Sequence, residues 1–161
     1  AGYVHEAGRS SILVVNQWDL VDKDGRTSLR FTEMLREELG FMQYAPVMYL
    51  SALTKQRVNR IPEVVKYAAE QHAMRVSTSL LNQVVRDATG INPPPSDRGR
   101  RLKIYYATQA SVKPPTIIFF VNDPDLMHFS YLRFLENKLR EAFGFEGTPL
   151  KLIVRPHKQE E

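Results

Sequence analysis

The sequence contains no cysteine, so neither a disulfide bond nor a thiolate metal site can form. This absence fits a protein of a reducing compartment. The sequence also lacks an apolar run as long as a membrane span, and its first residues do not have the charged-then-apolar order of a signal peptide. We therefore expect a soluble, cytoplasmic protein with no membrane partner.

The first half of the chain has no net excess of positive or negative charge. Residues 1–74 contain nine Lys and Arg and nine Asp and Glu, whereas residues 75–161 contain 13 basic and nine acidic residues. The net charge of +4 therefore comes from the second half. Clustered positive charge favours a polyanionic partner, and RNA fits better than a membrane because no basic amphipathic helix is predicted. The alternative is a basic solvated surface without a partner.

The length and composition are typical of one globular domain or two small ones. Of the 161 residues, 43% are hydrophobic and 25% are charged, which excludes a disordered tail. The composition changes between Met74 and Ser77, so we expect one domain at residues 1–74 and a second at residues 75–161. The pattern of elements predicts an α/β first part and an α+β second part.

Two predicted buried strands in the first part are each followed by polar residues. The strand Ile12 to Val15 leads into Asn16-Gln17-Trp18-Asp19, and the strand Pro46 to Leu50 leads into Ser51-Ala52-Leu53. A helical pattern that is capped by Thr27 or Ser28 and ended by Gly40 predicts the crossover between them. A right-handed βαβ unit brings the carboxyl ends of its strands to one sheet edge, where ligands bind in such folds.

The carboxylate of Asp19 indicates which ligand would fit at this edge. A fixed carboxylate accepts hydrogen bonds from N1–H and the 2-amino group of guanine, whereas adenine has an acceptor at N1 and no 2-amino group. The wrong base would leave a buried carboxylate unpaired, and sites of that kind discriminate by about 10⁴ to 10⁵. The alternative for each motif alone is turn chemistry, since Asn, Asp and Ser are frequent in loops. We interpret Trp18 as a packing residue.

The same motifs resemble those of a known family. Asn16-Gln17-Trp18-Asp19 is similar to the guanine-specificity motif N-K-x-D of P-loop GTPases, and Ser51-Ala52-Leu53 is similar to their S-A-[KL] loop. The tail, from KIYYATQASVKPP through NDPDLMHFSYLRFLEN to LREAFGFEGTP, resembles the C-terminal KH-like domain of the bacterial tandem GTPases called Der or EngA. Gln17 stands where the family has Lys, whose stem packs along the guanine face, so the change affects nucleotide affinity more than base choice.

The resemblance implies a partial P-loop GTPase sheet of Rossmann-like type, followed by a KH-like three-stranded sheet with helices. It implies GTP or GDP as the ligand, with Mg²⁺ in the full-length parent only. The guanine-binding residues it implies are Asn16, Gln17, Asp19, Ser51, Ala52 and Leu53. In this arrangement Asp19 contacts the guanine edge, Asn16 contacts N7 and braces the neighbouring loop, and the Ala52 N–H contacts O6. The implied partners are ribosomal RNA in the large ribosomal subunit and the upstream G domains of the parent.

No G-x-x-x-x-G-K-[ST] stretch occurs in the sequence. Such a loop supplies the backbone N–H groups, the Lys and the hydroxyl that hold phosphates and Mg²⁺. We therefore expect a C-terminal fragment of a Der-like protein of large-subunit biogenesis, which binds nucleotide weakly and does not hydrolyse GTP by itself. The alternative is a non-catalytic KH-like module for protein interaction.

From Thr54 onward, the spacing of apolar residues predicts a series of helices and strands. A helical pattern from Thr54 to His72 closes the first part, and a helix from Thr78 to Thr89 is ended by Gly90 and three prolines. Leu102, Ile104 and Tyr106, on the core side, alternate with Lys103, Tyr105 and Ala107 in a half-buried strand. TIIFFV is a buried strand, and Pro149 to Arg155 is the last strand. A helix between the last two strands has an apolar face, with Glu136 four residues before Arg140.

The basic residues of the second part are concentrated in a predicted flexible loop. Arg98, Arg100 and Arg101, with Lys103 just beyond, are the candidate RNA contacts. KH domains clamp the RNA backbone with a G-x-x-G loop between two helices. Gly144-Phe145-Glu146-Gly147 has those letters but lies between a helix and a strand, so we interpret it as a helix cap and tight turn. Weak sequence readout is therefore expected.

Two further clusters in the second part suggest chemistry but favour structural roles. Asp123, Asp125 and His128 could be metal ligands, yet carboxylates at a helix start complement the helix dipole and one His is too few, so no metal is expected. The aromatic residues Tyr105, Tyr106, Phe119 and Phe120 could stack on bases. Because they alternate on strands, we expect most in the core, with Tyr105 facing outward beside Lys103.

Overall fold

The computed structural model describes residues 1–158, which divide into two compact units. Unit 1 consists of Ala1–His72 together with Phe145–Pro149, and unit 2 consists of Ala73–Gly144 and the chain from Leu150 onward. The sequence pattern places residues 145–149 in the second domain, whereas the structure packs them within unit 1. Two long-range hydrogen bonds hold them there: the Gly147 N–H donates to the Tyr44 carbonyl at 2.7 Å, and the Ser11 N–H donates to the Gly147 carbonyl at 2.8 Å.

Unit 1 is built around a two-stranded parallel sheet. Its elements are helix α1 (Gly2–Glu6), strand β1 (Leu13–Val15), helix α2 (Thr27–Glu38), strand β2 (Val47–Tyr49) and helix α3 (Ile61–His72). Short 3₁₀ turns at Trp18–Leu20, Gly40–Met42 and Val58–Arg60 connect them. β1 and β2 pair from Leu13 with Val47 to Val15 with Tyr49, and α2 is the crossover between them. The sheet therefore presents the ends of both strands, and the motifs that follow them, at one edge.

The start of α2 depends on Asp24. Its Oδ1 accepts hydrogen bonds from the Arg26 N–H at 2.8 Å and the Thr27 hydroxyl at 3.1 Å, and the Arg30 guanidinium lies 3.0 Å from Oδ2. Three hydrogen bonds lower the pKa of Asp24: the largest effect comes from the Arg26 backbone N–H, and smaller effects come from the Arg30 and Thr27 side chains. The prediction that Thr27 or Ser28 caps the helix is wrong, because Thr27 is the first helical residue and Arg26 precedes it without a side-chain cap.

Trp18 anchors the loop that follows β1. Its side chain is 3% exposed, with the ring centroid 5.3 Å from that of Phe31 and 4.5 Å from that of Tyr49. These contacts agree with the packing role expected from the sequence. Because Phe31 lies on α2 and Tyr49 on β2, the Trp18 side chain fixes the polar loop against both neighbouring elements.

Helix α3 begins later than the sequence predicts. The periodic pattern starts at Thr54, but the helix starts at Ile61 because the intervening residues follow a different course. Lys55 and Arg57 have positive φ angles of 63° and 61°, and Ser51 forms an isolated bridge with Gln56. Pro62, the second residue of α3, is in the first turn, where its missing N–H costs nothing.

Unit 2 has helices packed on a mixed three-stranded sheet, with a separate small hairpin. Its elements are helix α4 (Thr78–Ile91), strands β3 (Ser96–Asp97), β4 (Arg100–Arg101), β5 (Ile104–Ser111) and β6 (Thr116–Val121), helix α5 (Phe129–Phe143) and strand β7 (Lys151–Pro156). The sheet order is β5-β6-β7, with β5 antiparallel and β7 parallel to β6. A 3₁₀ turn at Pro124–Leu126 precedes α5. The predicted α/β part followed by a three-stranded α+β part is confirmed.

The core of unit 2 lies between its two long helices and β6. Its buried side chains include Leu81 and Val85 of α4, Leu135 and Leu139 of α5, and Ile117, Phe119 and Val121 of β6. The Tyr131 hydroxyl of α5 donates to the Asn92 carbonyl at 2.8 Å, and burial raises the pKa of Tyr131 to about 12. Helix α4 runs through Gly90 to Ile91, two residues beyond the predicted end, and it stops just before the predicted proline run that begins at Pro93.

Strand β5 is irregular where a simple alternation is predicted. Its register with β6 shifts between Ile104 and Tyr106 and again between Gln109 and Ser111. Tyr105 and Tyr106, although adjacent, are 48% and 40% exposed, whereas Ala107 is fully buried. The prediction that Tyr106 faces the core and Ala107 faces outward is therefore wrong. None of the helices among residues 1–158 is long and apolar enough to cross a membrane.

Candidate functional site

The loops after β1 and β2 are held side by side by an extension of the strand ladder. The Leu50 N–H donates to the Val15 carbonyl at 3.0 Å, and the Trp18 N–H donates to the Leu50 carbonyl at 3.1 Å. These bonds continue the pairing beyond the last residues of both strands. They position Asn16-Gln17-Trp18-Asp19 next to Ser51-Ala52-Leu53.

A side-chain bond joins the two loops directly. The Ala52 N–H donates to Asn16 Oδ1 at 3.0 Å, although the residues are 36 positions apart in the sequence. Asn16 therefore braces the neighbouring loop in the way that the family resemblance implies. The resemblance also assigns the Ala52 N–H to guanine O6. Since a backbone N–H can serve two acceptors in a bifurcated arrangement, O6 would share this donor with Asn16.

Ser51 shapes the second loop from inside. It is fully buried, its N–H donates to the Gln56 carbonyl at 3.2 Å, and its Oγ accepts from the Thr54 N–H at 3.1 Å. Its hydroxyl and its backbone N–H are thus both bonded within their own loop. Ser51 supports Ala52 and Leu53, which are exposed, and its role is to position them.

Asp19 has a carboxylate oxygen for which the described residues provide no partner. Oδ1 is buried and accepts no hydrogen bond from residues 1–158. A buried polar atom without a partner costs about 1–3 kcal/mol, and more when it is charged, so native structures rarely keep one without a reason. A ligand that donates hydrogen bonds at this position is such a reason.

Gln17 lies between the two acceptor side chains in a strained backbone conformation. Its φ and ψ angles are 58° and 32°, which is the left-handed helical region, and it precedes the 3₁₀ turn at Trp18–Leu20. For a residue with a Cβ this conformation costs about 1–2 kcal/mol. The strain reverses the chain so that Asn16 and Asp19 lie at the same opening, while the Gln17 side chain remains exposed.

These side chains surround a cavity of about 340 Å³. Its lining residues are Asn16, Gln17, Asp19, Leu20, Ser51, Ala52 and Leu53. All six residues that the sequence suggests for guanine binding are therefore brought together. Leu20 is an additional member, and it is 72% exposed while Leu53 is 85% exposed. The two leucines give apolar surface beside polar groups, and the volume is in the range of about 300–1,000 Å³ typical of small-ligand sites.

Three of the candidate RNA contacts, Arg98, Arg100 and Arg101, lie on a short hairpin and not on the flexible loop that the sequence predicts. Strands β3 and β4 pair through Ser96 with Arg101 and Asp97 with Arg100. Arg98 and Gly99 form the turn with φ angles of 47° and 80°, and positive values at both positions suit a two-residue hairpin. The Arg100 guanidinium lies 3.0 Å from Asp123 Oδ2, so its charge is partly neutralised.

Two of the candidate contacts line a basic groove of about 610 Å³ in unit 2. Arg101 and Lys103 form part of it, together with Arg86 of α4, the proline-rich turn after α4, and Tyr105. No acidic side chain is among its lining residues within the described chain. Arg86 is not among the candidate residues predicted from the sequence, because nothing in the helical pattern relates the exposed face of α4 to the start of β5.

A second groove in unit 2, of about 570 Å³, combines aromatic and basic side chains. Its lining residues are Tyr106, Phe120, Arg155, Pro156, His157 and Lys158. The rings of Tyr106 and Phe120 are stacked with centroids 4.6 Å apart, whereas Phe119 is fully buried in the core. Nothing in the sequence pattern relates His157 to these aromatic residues, because the parallel pairing of β7 with β6 is a long-range feature.

The acidic cluster of unit 2 is occupied by structural bonds. Asp123 Oδ1 accepts from the Asp125 N–H at 3.0 Å at the start of the 3₁₀ turn, and Oδ2 pairs with Arg100. Within residues 1–158 no group of three or more His, Cys, Asp or Glu side chains could hold a metal ion. In the G-x-x-G tetrapeptide, Gly144 caps α5 with φ of 90°, and Gly147 lies in unit 1 with φ of 82°.

Comparison with known proteins gives a consistent result for both units. The family model described as the KH-domain-like region of EngA bacterial GTPase enzymes, C-terminal, matches residues 75–155. The chain is 58% identical over 160 residues to the GTPase Der of Desulfitobacterium hafniense strain DSM 10664 / DCB-2, which covers 99% of this chain and 36% of the relative. It is 60% identical over 155 residues to the GTPase Der of Brevibacillus brevis, covering 96% of this chain and 36% of the relative. The chain thus spans about a third of the length of these relatives.

A likeness to a solved structure is much weaker. A crystal structure of an Aquifex aeolicus Era variant bound to GDP.AlF4- is 13% identical, with a TM-score of 0.29, and covers 92% of this chain and 56% of that chain. A score this low establishes no common arrangement.

Proposed function

The chain belongs to the EngA (Der) family of bacterial GTPases and contains its C-terminal KH-like domain, and from this premise we propose that unit 1 recognises guanine nucleotides. The recognition residues are Asn16, Gln17 and Asp19 of the first loop and Ala52 and Leu53 of the second, which the buried Ser51 positions. The observation that carries the proposal is the unpaired, buried Oδ1 of Asp19 beside the Asn16–Ala52 bond.

The chemistry of base choice follows from the carboxylate. Guanine offers two donors, N1–H and the 2-amino group, to the two oxygens of Asp19. A hydrogen bond to a charged group contributes about 1.5–3 kcal/mol, so the pair favours guanine strongly over adenine, which would leave the carboxylate unsatisfied. The exposed side chains of Leu20 and Leu53 supply apolar surface for the faces of the base.

Affinity for nucleotide is expected to be low in this chain. The 161 residues contain no phosphate-binding loop, so the charged phosphates remain in water and only the base contributes. A dissociation constant of about 1 mM corresponds to −4.1 kcal/mol, which is as much as two charged hydrogen bonds and a partly buried base provide. In the full-length relatives, earlier residues of the same G domain would hold the phosphates and Mg²⁺ of GTP or GDP.

A nucleotide titration monitored by ¹⁵N NMR tests this proposal. GMP and AMP have the same phosphate charge, so AMP is the matched control for non-specific binding. GMP should shift the amide signals of residues 16–20 and 51–53 in a saturable way, and AMP should not. Equal responses to both nucleotides, or shifts confined to unit 2, would contradict guanine recognition by these loops.

We also infer that unit 2 contacts ribosomal RNA, as a KH-like domain of a protein that assists assembly of the large ribosomal subunit. The supporting observation is the groove lined by Arg86, Arg101 and Lys103, which contains no acidic side chain among its described lining residues. Arg98 at the hairpin turn adds charge next to it. Arg100 should contribute less because Asp123 already neutralises it at 3.0 Å.

Fluorescence anisotropy with ribosomal RNA fragments over a salt series tests the RNA contact. Each neutralised phosphate releases counterions, so affinity should fall steeply with salt. Replacing Arg98, Arg100 and Arg101 by Ala should flatten the salt slope by about two units, at roughly one per lost phosphate contact with little from Arg100. Replacing Arg57, Arg60 and Lys66 of unit 1 by Ala is the charge-matched control. Absence of binding at low salt would instead favour the alternative, a KH-like module that binds protein.

A further inference from the structure

The face of the unit 2 sheet carries an unusual group of exposed rings. The register shift in β5 leaves both Tyr105 and Tyr106 exposed, at 48% and 40%, where a regular strand would direct one of them into the core. Such irregularities are enriched next to functional sites, where they redirect a side chain. Single exposed rings are common on protein surfaces, but a contiguous group of them is typical of an interaction site.

His157 connects these two tyrosines into one cluster. Its ring centroid lies 4.8 Å from that of Tyr105 and 5.6 Å from that of Tyr106, and Tyr106 stacks on Phe120 at 4.6 Å. The His157 N–H donates to the Val121 carbonyl at 2.8 Å, which fixes the backbone at the end of β7. The rings are therefore a fixed arrangement and not independent surface side chains.

Basic side chains flank this aromatic cluster on two sides. Arg155 and Lys158 line the same groove as Tyr106 and His157, while Tyr105 lines the basic groove that holds Arg86, Arg101 and Lys103. The Tyr105–His157 contact thus joins the two grooves into one surface. No acidic residue lines either groove within residues 1–158, so the charge suits a polyanion and the rings suit a flat apolar partner.

We propose that this joined surface binds single-stranded RNA, with phosphates in the basic groove and one or two unpaired bases on the Tyr106–Phe120–His157 cluster. Unpaired bases expose flat faces that stack on aromatic rings, whereas the bases of a duplex are already stacked on each other. The inference depends on the RNA contact proposed above, and it adds the site and the strandedness of the RNA.

The test compares a labelled single-stranded RNA of twelve nucleotides with a duplex of the same sequence, by anisotropy on the whole 161-residue chain. Tyr106→Leu keeps an apolar side chain against Phe120 but removes the ring. Stacking is worth about 1–3 kcal/mol per base, so single-strand affinity should fall about 5- to 150-fold while duplex affinity stays unchanged. Tyr3→Leu, which alters a tyrosine of unit 1 that is 89% exposed, is the matched control.

A second variant separates charge from stacking. Replacing Arg101 and Lys103 by Gln should weaken single-strand and duplex binding together, because both molecules have phosphates. If Tyr106→Leu behaves like Tyr3→Leu while RNA still binds, the aromatic site is refuted and the RNA contact of unit 2 stands. If neither RNA binds at low salt, both proposals fail, and a protein partner would be the occupant of this sheet face. Circular dichroism of each variant excludes loss of fold as the cause.

Discussion

Replacement of Gly147 by Ala should destabilise unit 1 strongly, because this glycine is enclosed on three sides. Its φ angle of 82° lies in the left-handed region, and a Cβ built there would meet the Ala68 Cβ at 2.6 Å and the Ala68 Cα at 3.2 Å. Its N–H and carbonyl are bonded to Tyr44 and Ser11. The backbone is thus held in place and is unable to retreat from α3, on which Ala68 is buried.

The magnitude follows from two separate costs. A residue with a Cβ at this φ angle costs about 1–2 kcal/mol. Contact at 2.6 Å is about 1 Å closer than the optimal separation of carbon atoms, and overpacking of this kind costs about 1–3 kcal/mol. The sum is about 2–5 kcal/mol, out of a total stability of about 5–15 kcal/mol for a typical domain.

A double-mutant cycle with Ala68→Gly isolates the clash. Ala68→Gly alone should cost about 1 kcal/mol as a helix-interior glycine. In the double variant the methyl group at position 147 no longer meets the Ala68 side chain. The destabilisation should therefore be smaller than the sum of the two single losses by about 1–3 kcal/mol. Trp18, the one tryptophan of the sequence, is buried in unit 1, so its fluorescence during urea unfolding follows this unit. Additive losses would refute the close packing of the 145–149 segment on α3.

Two further predictions concern pH and turnover. The lowered pKa of Asp24 means that its contribution to stability is present above its ordinary value of 3.8 and is lost as pH falls through the folded pKa. Asp24→Asn should therefore lower the melting temperature slightly at neutral pH, and the difference from the unmodified chain should shrink in acid; a constant difference would contradict the assignment. The purified chain should release no phosphate from GTP above the buffer rate, because no G-x-x-x-x-G-K-[ST] loop occurs in its 161 residues. Turnover that disappears in Asp19→Asn would show that the chain has phosphate-binding groups not recognised in the sequence.

The sequence identified the parts of unit 1 that depend on local pattern. Apolar runs that end in polar residues located both strands, and the parallel crossover then required Asn16 and Ala52 to meet, as their 3.0 Å bond reflects. The burial of the unpaired Oδ1 of Asp19 could not be predicted from the sequence, because burial of one atom depends on the packing of several loops. The late start of α3 also escaped prediction, since Lys55 and Arg57 adopt positive φ angles that favour glycine.

The sequence was less informative about surfaces that depend on long-range pairing. Strand alternation predicted Tyr106 in the core, and a register shift within β5 placed it outside. The hairpin at Arg98 and Gly99 resembled a flexible loop because its strands are only two residues each. The segment 145–149 followed a helix cap in the sequence, but its bonds to Tyr44 and Ser11 depend on residues more than a hundred positions away.

The most direct measurement of the central claim is a change of base preference in Asp19→Asn. Xanthine has a 2-oxo acceptor where guanine has the 2-amino donor, so an Asn amide can donate to it and still accept from N1–H. The unmodified chain should respond to GMP and not to XMP in ¹⁵N NMR titrations. The variant should respond to XMP and lose GMP affinity by about 10- to 150-fold, the loss expected for one charged hydrogen bond. Unchanged GMP shifts at residues 16–20 and 51–53 in the folded variant would contradict guanine recognition by Asp19.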